Sequence, residues 1–334
     1  MHIHWLAPIS LDDPHQVYQT DWASLRLRAG ALVSLTNEHL TISIGEQIAE
    51  HTHVCVVGKI GAHNPTEKQA DWLKTIFKFD HSVVLDYTDD HIQNQTVMSD
   101  FYRIALERAD EVVCSSQQLQ KSITGIYSKK ISVIEDAVEY LPLPPKTVPN
   151  KPRRLLWFGH HSNIAALQRF LRTFHPPMPV EVLVLSTEQG RQMLQTSPPP
   201  QSPSVRLLFK LWSIEEMPKA AAQCDACIIP VDDSSPAKIG ASSNRLLTAL
   251  TLGLPTCADL IPSYLEFQDF WTDLRGPQLD HVIMNPQAFH HQIELAQRHI
   301  KQHYSFQSLG LKWQATLEQL NAGPTNHSTS TSQT

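Results

Sequence analysis

Residues 224–259 read CDACIIPVDDSSPAKIGASSNRLLTALTLGLPTCAD. An apolar run, Ala226–Ile229, stops at Pro230, and a polar loop with Asp232, Asp233 and Lys238 follows. Ser242, Ser243 and Asn244 then stand where a helix N-cap is expected, ahead of RLLTALTL. Gly253 ends that helix and Pro255 opens another short apolar run. Strand, loop, helix, strand in this order is a βαβ unit, which requires a parallel sheet with helices on its faces. The helix start lies at the carboxyl end of a strand, where open α/β sheets bind ligands. Lys238, Arg245, hydroxyls and free N–H groups there suit a phosphate or diphosphate held without metal. A well-capped helix beside a solvated lysine is the structural alternative.

Working backwards, RRLLWFGHHSNIAALQRFL (153–171) repeats the plan. A strand ends at Gly159, and Ser162 or Asn163 caps a helix that buries Ile164, Leu167 and Leu171. His160 and His161 add donors beside the turn. Further strands are expected at 180–185 and 205–209, and helices at 214–223, 288–303 and 306–321. The first half alternates in the same way. Strands are expected at 3–7, 41–44, 54–57, 83–86, 111–114 and 131–134, and helices at 24–35, 68–77, 100–109 and 116–124. Between the halves, YLPLPPKTVPNKPRR (140–154) lacks periodicity and reads as a linker. The expected domains are 1–148 and 149–321, with the last helix able to return to the first domain. The polar segment 322–334 is expected to be disordered.

In the first half, DYTDDH places Asp86 at a strand end and Asp89, Asp90 and His91 in the following loop. Asp90 and His91 are candidates to take a proton from an acceptor hydroxyl, and a capping role for Asp89 and Asp90 is the alternative. Asp12, Asp13 and His15 are rival bases. Arg26 and Arg28 lie two apart on a helix and do not share a face, so at most one of them points toward a ligand. The HxH pairs His2/His4 and His51/His53 lack a third ligand and read as structural or surface residues. So does the lone Cys224-x-x-Cys227.

The formal net charge of −6 offers no basic field, so nucleic acid is not an expected partner. No stretch nears the roughly 18 apolar residues a spanning helix needs, so membrane contact is at most peripheral. The beginning MHIHWLAPISLDDPH does not read as a secretion signal. Five cysteines without a framework point to a reducing compartment, and hence to a cytoplasmic location.

FGHHSNIAAL, LWSIEEMPKAAAQCDACIIP and KIGASSNRLLTALTLGLPTCAD resemble the donor-binding half of GT-B glycosyltransferases, especially bacterial family-4-like enzymes. SLRLRAGAL, HVCVVGKIG and VVLDYTDDH followed by RIALERADEVVCSS resemble their acceptor-side domain. The resemblance covers about residues 1–275. It implies two Rossmann-like domains facing across a cleft, and metal-independent transfer from a nucleotide-diphosphate sugar without any other cofactor. The acceptor would be a glycan, a lipid-linked or a small-molecule hydroxyl, as in surface polysaccharide or glycoconjugate synthesis. The implied donor residues are Gly159, His160, His161, Lys238, Ser242, Ser243, Asn244 and Arg245. Many retaining members carry two glutamates eight positions apart, where this chain has Gly240 and Thr248. That departure implies either an altered donor contact or a nucleotide-sugar or glycan binding protein without turnover.

Overall fold

The computed structural model describes residues 1–61, 66–198, 202–232 and 240–322. It contains two separate six-stranded parallel sheets. The first is built from β1 (His2–Leu6), β2 (Thr41–Gly45), β3 (Val54–Val57), β4 (Ser82–Tyr87), β5 (Glu111–Cys114) and β6 (Lys130–Val133), in the order β2-β1-β3-β4-β5-β6. β1 pairs with both neighbours through Ile3, which faces Ile42 on one side and Val54 on the other. The second has β7 (Arg153–Phe158), β8 (Val180–Ser186), β9 (Val205–Leu211), β10 (Ala226–Ile229), β11 (Thr256–Ala258) and β12 (Thr272–Asp273), in the order β12-β11-β10-β7-β8-β9. Val54–Val57 and Ala226–Ile229 are buried at every position, the pattern of strands covered on both faces.

The chain packs as two compact units: 1–115, 120–134 and 307 onward in one, and 116–119 and 135–306 in the other. The helix Phe306–Asn321 therefore belongs, from residue 307, with the first sheet. It docks there through Trp313, whose ring meets Trp5 edge-on at 5.2 Å. Gly310 allows the approach, since a Cβ there would lie 2.3 Å from the Ala31 carbonyl oxygen.

The proline-rich run read as a linker is largely part of the second unit. Proline cannot donate, but the run still has carbonyls and some N–H groups to satisfy. Leu143 donates to the Thr251 carbonyl at 3.0 Å, and Gln297 Nε2 donates to the Leu143 carbonyl at 2.8 Å. The boundary accordingly falls at 134/135 rather than 148/149. Gly253, with φ +78°, sits against this run, and a Cβ would lie 2.7 Å from the Leu143 oxygen. Gly253→Ala should therefore cost about 2–4 kcal/mol, combining a left-handed residue with a backbone collision. Urea denaturation checks this, and a loss below about 0.5 kcal/mol, the range of an ordinary surface change, would contradict the packing.

The helix expected over 24–35 begins as a wider π-helical turn, Leu25–Ala29, and continues as Gly30–Val33. Both Arg26 and Arg28 are buried there, and they turn to different partners. Arg26 donates to the Thr20 carbonyl, while Arg28 turns inward to Asp86. The segment expected to be a disordered tail lies, from residue 323, outside the described residues. Among the described residues, no helix is long and apolar enough to cross a membrane.

Candidate functional site

In each sheet the chain reverses its direction of winding once. The second sheet reverses between β7 and β10, because β8 and β9 continue on one side and β11 and β12 on the other. Backbone ends diverge at such a point and leave a crevice beyond the strands' carboxyl ends.

From the β7 side, Gly159 enters the crevice held by two bonds. Its N–H donates to Leu185 at 3.2 Å, and its carbonyl accepts from Ser186 Oγ at 2.7 Å. His160 Nδ1, not Ser162 or Asn163, supplies the side-chain cap, accepting weakly from the Ser162 N–H at 3.4 Å. His161 Nδ1 pairs with Thr187 Oγ1 at 3.3 Å, and the two imidazoles lie 3.7 Å apart, centroid to centroid. Ile164, Leu167 and Leu171 are buried beneath, as expected.

From the β10 side, Val231 donates its N–H to Asp259 Oδ2 at 2.9 Å, and Asp259 also accepts from Arg275. Asp232 pairs with Arg169 at 2.8 Å. Lys238 and Asp233 lie outside the described residues. The helix Asn244–Thr251 then begins without the expected capping cluster: Ser243 makes no side-chain cap bond. Ser242 instead donates to Asp136 Oδ2 at 2.6 Å, and Asn244 Oδ1 accepts from Thr248 Oγ1 at 3.0 Å. The first turn thus keeps its backbone donors clear of side-chain caps, and with them the positive end of the helix dipole.

Arg245 is partly buried, and its Nη1 is enclosed without a hydrogen-bond partner. Burial raises the pKa values of Cys227 and Tyr264, and the Arg245 guanidinium opposes both shifts. Arg245 thus brings a positive charge, with one N–H unpaired inside the protein, into the first turn of this helix. The two positions of the missing glutamates are partly occupied by neighbours. A Cβ on Gly240 would meet Leu119 Cδ2 at 3.0 Å, and Thr248 is buried and engaged with Asn244.

The first unit carries Asp90 and His91 in the loop after β4. Asp90 Oδ1 is occupied, accepting from the Tyr87 hydroxyl at 3.0 Å and the Gln93 N–H at 3.1 Å. That is the turn-organising role. His91 is buried and stacks on Tyr102 at 4.7 Å. Its Nδ1 meets Thr96 Oγ1 at 3.0 Å, and its Nε2 has no partner. Burial lowers its pKa, with Asp89 opposing, which keeps the ring neutral near pH 7. Asp89 itself is taken by Lys59 from the end of β3. Asp13 caps the short helix Pro14–Gln19 through the His15 N–H, so this rival is structural.

His2 and His4 share Ser43 Oγ at 3.0 and 2.8 Å. All five cysteines are buried, and burial pushes the Cys224 thiol up to about 12. Among the described residues, no group of three or more His, Cys, Asp and Glu side chains could hold a metal ion. Sequence reading missed Arg169, Asp136 and Asp259, which bind the loops of the second crevice. Position just past a strand end was the signal for Asp259.

No family model matches the chain, and no curated protein does. Solved structures do. The Anabaena HepE protein, determined in complex with UDP-glucose, superposes with TM-score 0.59 over 96% of this chain and 100% of its own, at 15% identity. AviGT4, a glycosyltransferase involved in avilamycin A biosynthesis, gives TM-score 0.54 over 97% and 99%, at 11% identity. TarM gives TM-score 0.54 at 10% identity over 79% of this chain, which spans 54% of TarM's length. The fold is the α/β, two-Rossmann-unit architecture of the GT-B glycosyltransferases.

Proposed function

We propose that this protein transfers a hexosyl-type group from a nucleotide-diphosphate sugar to an acceptor hydroxyl. One observation carries the reading: the Asn244–Thr251 helix, which starts without a side-chain cap and carries Arg245 in its first turn, follows β10 at the point where the second sheet reverses. The likeness to HepE, solved with UDP-glucose, supports the same ligand class. As the anomeric bond breaks, charge gathers on the leaving diphosphate. Fixed donors that meet it stabilise the transition state more than the ground state. Lys238, six residues before the helix in sequence, supplies a second cation in this reading. Gly159, His160 and His161 border the sugar-phosphate from the β7 side.

The acceptor belongs to the first unit. Of its two candidate bases, His91 keeps an unused ring nitrogen while Asp90 orients the loop. The expected setting is cytoplasmic glycan or glycoconjugate synthesis. Because arginine, lysine and a helix start neutralise the diphosphate, donor binding should not require a divalent ion. UDP-glucose titrated by calorimetry should give the same Kd, within about threefold or 0.7 kcal/mol, with EDTA as with magnesium. A loss beyond about tenfold in EDTA, or 1.4 kcal/mol, would overturn metal independence.

Glycine and threonine at positions 240 and 248, where glutamates are expected from the resemblance, favour a second reading, binding without turnover. Release of UDP from bound UDP-glucose, with or without acceptor, separates the two: turnover supports transfer, and tight binding without UDP release supports the binding protein.

A further inference from the structure

β2 is an edge strand paired with β1, and one row of side chains fastens the two together. The register sets His2 beside Thr41 and His4 beside Ser43, all on one face of the sheet. His2 Nδ1 meets Thr41 Oγ1 at 2.9 Å, and its Nε2 meets Ser43 Oγ at 3.0 Å. Ser43 Oγ also meets His4 Nδ1 at 2.8 Å, and His4 Nε2 meets the Gly45 carbonyl oxygen at 3.2 Å. A carbonyl can only accept, so a neutral His4 carries its proton on Nε2. Its Nδ1 then accepts from the Ser43 hydroxyl, which accepts in turn from a neutral His2 through Nε2–H, and Thr41 donates to His2 Nδ1. Beside them His53 Nδ1 accepts the His2 N–H at 3.0 Å, a further bond that needs an unprotonated nitrogen. The end of β2 also holds the loop after β1. Leu11 donates its N–H to the Ile44 carbonyl at 3.1 Å, and Glu46 donates its N–H to Ser10 Oγ at 3.3 Å.

We infer that this histidine–serine–histidine chain is an acid-sensitive latch: with neutral rings it holds β2 and the loop after β1 in place, and protonation releases them. A proton on His4 Nδ1 turns an acceptor into a donor, and Ser43 Oγ then faces two N–H groups with no acceptor in the chain for its own hydrogen. A proton on His53 Nδ1 opposes the His2 N–H, donor to donor. Two charged rings sharing one hydroxyl also repel, and His4 is 2% exposed, so water does little to offset its charge. The Met1 amine, His51 and His53 face His2. Across from His4 on β3 stands the Cys55 thiol, with Arg108 of the next helix beyond it. Past Gly45, Glu46 pairs with Lys68. Burial pushes His4 down to about 4, with the Gly45 bond opposing and His2 adding to the fall. Burial also lowers His2, followed by His53, the Met1 amine and His51. The closed strand therefore binds fewer protons than the open one. The latch is fully fastened above the ordinary histidine value of 6.5 and weakens as pH falls from there toward 4.

Amide hydrogen exchange on the full chain, expressed as protection relative to free peptide, tests this between about pH 7.5 and about pH 5. Protection of Leu11 and of residues 42–45 should fall about thirtyfold, the ratio set by a shift from 6.5 to about 4. Protection of β7 and β8 in the second unit should change by less than about threefold, since opening there is a separate event. His4→Gln, which does not titrate, should lose most of the pH dependence in β2. Imidazole nitrogen NMR of the wild type, which needs no variant to fold, should show His4 neutral at about pH 6 with its proton on Nε2. The latch is refuted if β2 protection is flat with pH, if His4→Gln loses it as the wild type does, or if β7 and β8 open in parallel. It is equally refuted if His4 is charged at about pH 6, or neutral with its proton on Nδ1.

Discussion

Arg28→Met should lower the stability of the first unit by about 3–5 kcal/mol, the usual cost of leaving one half of a buried ion pair behind. The guanidinium is fully enclosed. It donates through Nε to Asp86 at 2.7 Å and through Nη1 to the Ile134 carbonyl at 2.6 Å, and its carbon lies 5.3 Å from the Trp313 ring centroid. One side chain thereby joins β4, the end of β6 and the returning C-terminal helix. Methionine fills much of the volume but leaves the Asp86 carboxylate buried without its cation and the Ile134 carbonyl without a donor. The double variant Arg28→Met/Asp86→Leu removes the stranded charge and should recover a large part of the loss, since an apolar replacement of a buried pair is often nearly neutral. Guanidinium denaturation followed by tryptophan fluorescence reads both. A single variant within about 1 kcal/mol of wild type, the ceiling for exposed pairs, would mean that the pair contributes no more than a surface bridge.

That knot shows what the sequence concealed. The strands were legible because parallel strands buried on both faces read as unbroken apolar runs. Val54–Val57, Glu111–Cys114 and Ala226–Ile229 match their expected limits residue for residue. Periodicity also placed Phe306–Asn321. It could not show that Arg28 looks inward, because an arginine on a helix reads as polar until its partner 58 residues away is known. The helix Glu188–Thr196 was not expected, having one buried residue, Gly190, and so little apolar rhythm. β12 is two residues long, too short for any pattern. The linker was misjudged for a related reason. Prolines exclude helix and sheet, yet a chain without either can still pack through carbonyls, as Leu143 does beside Gly253. At the candidate site, residue types were legible and partners were not. Ser242 and Asn244 are helix-capping residues by chemistry, but Asp136 and Thr248 claim them.

The same reasoning singles out Arg245, for which affinity and stability should move in opposite directions. Arg245→Met should weaken UDP-glucose binding by about tenfold to a hundredfold, as expected for losing a hydrogen bond of about 1.5–3 kcal/mol to a charged group. Folding stability should stay level or rise, because the wild-type Nη1 is enclosed with no partner in the protein. An unmet buried donor costs free energy in the unliganded state, and methionine keeps the stem without that donor. Function placed at a site commonly destabilises it in this way. Arg245→Lys should retain part of the affinity, since an ammonium supplies charge but not the planar fork. If the contact tightens as charge develops on the diphosphate, UDP release should slow by a larger factor than binding weakens. Calorimetry for affinity, thermal melting for stability and single-turnover UDP release together decide the matter. Loss of stability with unchanged affinity would make Arg245 a structural residue. The anion would then have to be held by the helix start and the loop before it alone.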